Sequence, residues 1–92
     1  MKLINWNKEK NEWLKQNRDI CFDDILFYID NDLVIDDIEH PNKEKFSNQR
    51  IMVIDINEYV YLVPYVESKN EIFLKTIIPS RKATKSYLEG KK

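Results

Sequence analysis

Three apolar runs, residues 50–56, 59–67 and 71–78, are separated by only two and three residues. A parallel neighbour needs a crossover of a dozen residues or more, so such short connections predict an antiparallel meander. Asn57-Glu58 is the first turn, without the glycine that two-residue hairpins prefer, and Ser68-Lys69-Asn70 is the second. Alternation along 59–67 sets Tyr59, Tyr61, Val63 and Tyr65 on one face and Val60, Leu62, Pro64 and Val66 on the other. The Val/Leu face is the expected core. The tyrosine face then offers a half-exposed platform for stacking bases, unless the tyrosines are there because they favour sheets. Pro64 lacks a ladder donor and predicts an edge position or a bulge.

Ahead of the meander, residues 3–6 and 33–38 read as strands with two helices between them. Asn7 caps the first helix, which runs to about residue 17 on a thin apolar face of Trp13 and Leu14, so packing must stabilise it. In the second, from about 22 to 30, Phe22, Ile25, Leu26 and Ile29 fall at i, i+3, i+4 and i+7. Asp23 and Asp24 occupy its first turn, where the helix dipole favours anions. Ser80 caps a last helix ending near Gly90. Ninety-two residues allow one domain, 1–92, with one core: an α+β layer of helices on a sheet.

Several function classes are excluded. A single glycine rules out a glycine-rich phosphate loop. No apolar run approaches the roughly 20 residues that span a bilayer, and residues 1–5 lack a signal peptide's apolar stretch. One cysteine, Cys21, excludes an internal disulfide, fits a reducing cytoplasm and reads as a small apolar side chain. One histidine and one cysteine, far apart, give no zinc spacing, so neither metal nor cofactor is expected.

The net charge is −1 but segregated. Residues 19–39 hold eight Asp or Glu and no Lys or Arg, whereas residues 69–92 hold seven Lys or Arg and two Glu. In the basic part, Ile77-Ile78-Pro79-Ser80-Arg81-Lys82-Ala83-Thr84-Lys85-Ser86-Tyr87 takes an apolar strand through a basic turn into a helix. Cations that open a helix are unfavourable to its dipole, which argues against a purely structural role and for a phosphate-bearing partner.

The order of elements and six short pieces resemble BrnT, a toxin family of bacterial type II toxin–antitoxin pairs. Trp6-Asn7-Lys8-Glu9-Lys10 is similar to the family's opening Trp-Asp-x-x-Lys, and Ile20-Cys21-Phe22-Asp23-Asp24-Ile25 to its Val-x-Phe-Glu-Glu-Ala piece. Asp36-Asp37-Ile38-Glu39-His40-Pro41 looks like its acidic strand end and loop. Arg50 stands where the family has Arg before an apolar run, Tyr65-Val66-Glu67 resembles its His/Tyr-Thr-Glu element, and residues 77–84 resemble its Ile-Ser-Ala-Arg-Arg-Ala-Thr. Asn17-Arg18 replaces the family's Lys-His, and Lys75 or Thr76 stands in for a strand arginine.

The resemblance implies a RelE-like fold, metal-independent cleavage of mRNA, on or off the ribosome, and a DNA-binding antitoxin partner. In such cleavage the substrate's own 2′-OH attacks, and the protein must align it, move protons and stabilise a phosphorane. Arg81 and Arg50 are the leading phosphate ligands, because guanidinium grips phosphate as a fork; Lys82 and Lys75 follow. Tyr65 completes the expected catalytic set, with His40 and Tyr87 as further proton-transfer candidates. His40, Tyr61, Lys85 and Tyr87 are the expected RNA contacts. Each has a plainer role: His40 as a loop residue, Arg50 as the partner of an acidic neighbour, Lys85 as helix surface and Tyr87 as core. Two rival functions follow: a binding module of the same fold that has lost cleavage, and a toxin of that fold acting on a protein target.

Overall fold

Asn57 and Glu58 make the first hairpin turn as expected, both with positive φ (54° and 67°), the geometry that matches the twist of the flanking strands. The computed structural model describes residues 2–42, 44–45 and 48–89. Among these, four backbone positions with positive φ fall on Asp19, Asp32, Asn57 and Glu58, none on glycine. Glu58 is the costly one, since a long side chain gains nothing from the left-handed region. Glu58→Gly is expected to raise stability by about 0.5–1 kcal/mol, after the entropy of the freer unfolded chain is set against the relieved strain. A urea midpoint that falls instead would refute that turn geometry.

The chain runs β1 (Leu3–Trp6), α1 (Lys8–Arg18), α2 (Phe22–Asp30), β2 (Val34–Glu39), β3 (Gln49–Ile56), β4 (Tyr59–Glu67), β5 (Glu71–Leu74), β6 (Ile78–Pro79) and α3 (Arg81–Thr84), then a π-helical segment, Lys85–Glu89. The fold is α+β. Strands lie in the order β1-β5-β4-β3-β2, with β6 also on β4. The sheet is mixed, not antiparallel throughout: β1 joins β5 in parallel, Trp6 beside Leu74. That direction delivers the chain to the start of α1 level with the core. Asn7 caps α1 by accepting from Lys10 N at 2.9 Å. The end of the last helix, expected near Gly90, lies outside the described residues.

The expected strand 71–78 is two strands. Tyr65 pairs with Leu74, but Leu62 pairs with Ile78, so the register slips by one residue across Lys75–Ile77. This accounts for Pro64, which sits in the middle strand of the sheet and not at an edge. A residue's N and C=O point to the same side of a strand. Pro64 O accepts from Lys75 N at 2.8 Å, so its missing N–H faces the place where β5 leaves the ladder. The bulge is in the neighbour of the proline. The Arg18 guanidinium, at the end of α1, donates to Ile77 O beside the same slip.

Both faces of the sheet are covered. On one, Leu14, Ile20, Phe22 and Ile25 of the helical layer pack on Met52, Ile54, Val63, Tyr65, Leu74 and Ile77. This overturns the expected platform: the tyrosine face of β4 is the principal core, with Tyr65 only 3 % exposed. Tyr61 packs against it half-buried, and Tyr59 is exposed. Tyr65 is accommodated in that core because its hydroxyl donates to Asp37 at the sheet's rim. On the opposite face Ile51, Val53 and Val60 are also buried, and the C-terminal helical segment packs on β4. Asn11 is buried in α1 and joins the helices: its Oδ1 accepts Phe22 N at 2.7 Å and its Nδ2 donates to Asp23.

Candidate functional site

The basic segment is held by its own short-range chemistry. Ser80 N donates to Val60 O at 3.0 Å as β6 ends, and Ser80 Oγ caps α3 by accepting from Ala83 N at 3.1 Å. One turn on, Thr84 Oγ1 donates to Ser80 O and accepts Val60 N at 2.9 Å. That threonine satisfies a donor on β4 that β6 is too short to reach. Tyr87 OH then donates to Asp36 Oδ2 at 2.7 Å, fastening the segment across the sheet to β2. The bond holds the Asp36 carboxyl below its usual value and raises the Tyr87 phenol. Arg81, Lys82 and Lys85 project from this anchored turn, all exposed, and among the described residues no ion pair joins them to a carboxylate.

Arg50 and Tyr65 are brought together elsewhere. They are direct cross-strand partners on β3 and β4, and Asp37 of β2 bridges them. Arg50 Nε donates to Asp37 Oδ1 at 2.9 Å and its terminal nitrogen to Asp37 O at 3.1 Å; Tyr65 OH donates to Asp37 Oδ2 at 2.5 Å. Burial, then the Asp37 carboxylate, drive the Tyr65 phenol far above its ordinary value. Asp37 likewise secures the positive charge of Arg50.

The expected catalytic residues therefore fall into separate places. From Tyr65 to Val60, where the basic segment is tied, is five strand positions, or about 17 Å, and the two groups lie on opposite faces. Lys75 belongs to neither. It follows β5 with its Nζ 5.6 Å from the centre of the Phe73 ring, in an open groove that Trp13 and Lys10 of α1 also line. His40 closes β2: its N donates to Gln49 O, and its Nδ1 accepts Asn42 N at 3.1 Å. Tyr61 stands 5.8 Å from Tyr59, ring centre to ring centre, and both line a groove of about 570 Å³ between α2 and the β3–β4 hairpin. Arg18, Asp19 and Asp24 share that groove.

Cys21 is half-buried and opens α2, with its N–H donating to Asp24 Oδ2 at 3.1 Å. Burial raises its thiol above the ordinary value, which disfavours the thiolate a nucleophile needs. Among the described residues no group of three His, Cys, Asp or Glu could hold a metal, and no helix is long and apolar enough to cross a membrane.

Asp36, Asp37, Arg18 and Trp13 were not singled out by sequence as site residues. The two aspartates were visible as an acidic strand end opposite Arg50, so strand pairing could have found the clasp. Nothing local marks Arg18, whose partner is 59 residues away. Comparison with protein-family models, with curated proteins and with solved structures returned no match.

Proposed function

We propose that this chain is a toxin of the RelE/BrnT kind, a metal-independent endoribonuclease acting on mRNA and neutralised by a DNA-binding antitoxin. The observation that supports it is the anchored basic turn. Three exposed cations, without carboxylate partners among the described residues, stand on a segment tied to the sheet through Ser80, Thr84 and Tyr87, in a chain of net charge −1. A backbone tied down in this way leaves only the side chains to reorganise when a phosphate develops negative charge. In this scheme Arg81 grips the scissile phosphate as a fork and Lys82 adds a point charge. The substrate 2′-oxygen bonds to phosphorus and gives its proton to solvent water. The bond to the 5′-oxygen breaks, and the Lys85 ammonium supplies the proton that oxygen takes up. Arg50 and Tyr65, clasped to Asp37, hold the rim of the sheet.

A non-cleaving RNA-binding module is the second reading, and one observation favours it: Arg50 and Tyr65 are committed to Asp37 and stand apart from the basic turn.

Controlled expression in a bacterium tests both, with transcript 5′ ends mapped for the wild type and for Arg81→Ala/Lys82→Ala. Growth arrest with new 5′ ends in the wild type, both lost in the variant, is the expected result. Arrest with no new ends would sink the nuclease and point to a protein target. Soluble wild-type protein without arrest would favour the binding module.

A further inference from the structure

An open groove of about 920 Å³ runs between the start of α1 and the end of β5. Its chemistry differs from that of the groove at the β3–β4 hairpin, where two carboxylates oppose one guanidinium. Here Lys10 and Lys75 face a single carboxylate, Glu9, and the two rings are Trp13 and Phe73. Each ring already carries a cation. Lys10 Nζ lies 4.5 Å from the centre of Trp13, the Arg18 guanidinium 5.2 Å from the same ring, and Lys75 Nζ 5.6 Å from Phe73. Trp13 is 44 % exposed, whereas Trp6 is stacked in the core on Phe22. Trp13 is not among the buried core residues; Leu14 is the apolar residue of that turn of α1 that enters the hydrophobic core.

We infer that this groove is a binding site for single-stranded RNA, in which a base stacks on Trp13 and the backbone phosphates take Lys10 and Lys75. The site rests on the RNA-directed function proposed above and extends it to a second contact region away from the basic turn. An aromatic face beside cations is the combination that holds single strands without reading their sequence. The lysine now over the indole does not block the base. A cation over an exposed ring is worth about two- to five-fold in an equilibrium, and a stacked base about five-fold to a hundred-fold. Lys10 therefore yields the ring and follows the phosphate. Arg18 stays, because Ile77 O holds it. In the sequence, Trp13 and Leu14 form a thin apolar face, and Lys75 stands with Lys82 among the candidate phosphate ligands.

The test is binding of a fluorescein-labelled ten-nucleotide oligouridylate at low salt, read by anisotropy and by tryptophan emission. Wild type, Trp13→Ala, Trp13→Phe, Lys75→Ala and Arg81→Ala/Lys82→Ala are compared. The oligonucleotide is expected to quench the emission of exposed Trp13. Trp13→Ala should weaken binding about ten-fold or more with an unchanged melting temperature, and Trp13→Phe should regain most of the loss. Lys75→Ala should weaken binding less and flatten its salt dependence. If the wild type binds and Trp13→Ala binds equally well, this site is wrong while the proposed function stands. If the wild type binds no RNA, both fall. Emission that responds to protein concentration and not to RNA would assign the groove to a second copy of the chain and overturn the inference.

Discussion

Phe22→Ala is expected to destabilise the protein by about 3–5 kcal/mol, the usual cost of emptying a phenylalanine site in a core. For a domain of this size that is a fall of roughly 12–40 °C in melting temperature. Phe22 is fully buried, and its ring lies 5.7 Å from that of Trp6 at 26°, so one truncation removes a stacked pair and leaves a cavity. The site cannot collapse easily. The backbone N–H of Phe22 is fixed by Asn11 at 2.7 Å, and Leu14 and Ile25 wall the same core, both without exposure. Phe27 is the control. It lies five residues further along α2, on another face of the helix, and is 57 % exposed, so Phe27→Ala should stay within about 0.5 kcal/mol of wild type. Urea unfolding of the two variants side by side checks both. Equal midpoints would mean that α2 turns a different face to the sheet.

That contrast also marks what was legible in the sequence. The stripe of Phe22, Ile25, Leu26 and Ile29 has a period only a helix can use, and Phe22 and Ile25 are its buried members. The tight turns gave the order of β3 to β5 because two or three residues leave no other pairing. The faces of β4 were not legible. When both sides of a sheet are covered, the inside–outside contrast on which alternation depends disappears, and valines and tyrosines alike end up buried. The parallel partner of β1 was hidden for another reason. It lies more than sixty residues away, and nothing in Leu3–Trp6 specifies which edge it joins or in which direction. Pro64 misled because the rule that excludes proline from central strands concerns the donor, and here the neighbouring strand departs where that donor would point. The basic turn, by contrast, was readable as a unit, since capping by Ser80 is local. Its separation from Arg50 and Tyr65 was not, because that depends on which face the last segment crosses.

Asp37→Ala should have the second large effect. Asp37 is the acceptor for Tyr65, whose hydroxyl is otherwise enclosed at the edge of the core, and losing it leaves a donor without a partner at a cost of about 1–3 kcal/mol. Tyr65→Phe removes that donor. Introduced after Asp37→Ala it should therefore cost nothing or restore stability, although alone it removes a short bond to a carboxylate. The non-additivity is the signature, read as a double-mutant cycle of urea midpoints. Equal costs of Tyr65→Phe in both backgrounds would show that the hydroxyl does not depend on Asp37. The same phenol predicts a dependence on alkali. Its pKa in the folded chain is raised above the ordinary 10.0, by burial first and by Asp37 second. The folded protein thus keeps a proton that the unfolded chain gives up, so the contribution of Tyr65 is complete below about pH 10 and is lost as the pH climbs beyond it. Tyr87, raised by its bond to Asp36, adds a decline of the same sign in every variant. The part that disappears in Tyr65→Phe belongs to the clasp, and an alkaline limb identical to that of the wild type would show that no buried phenol is there to lose.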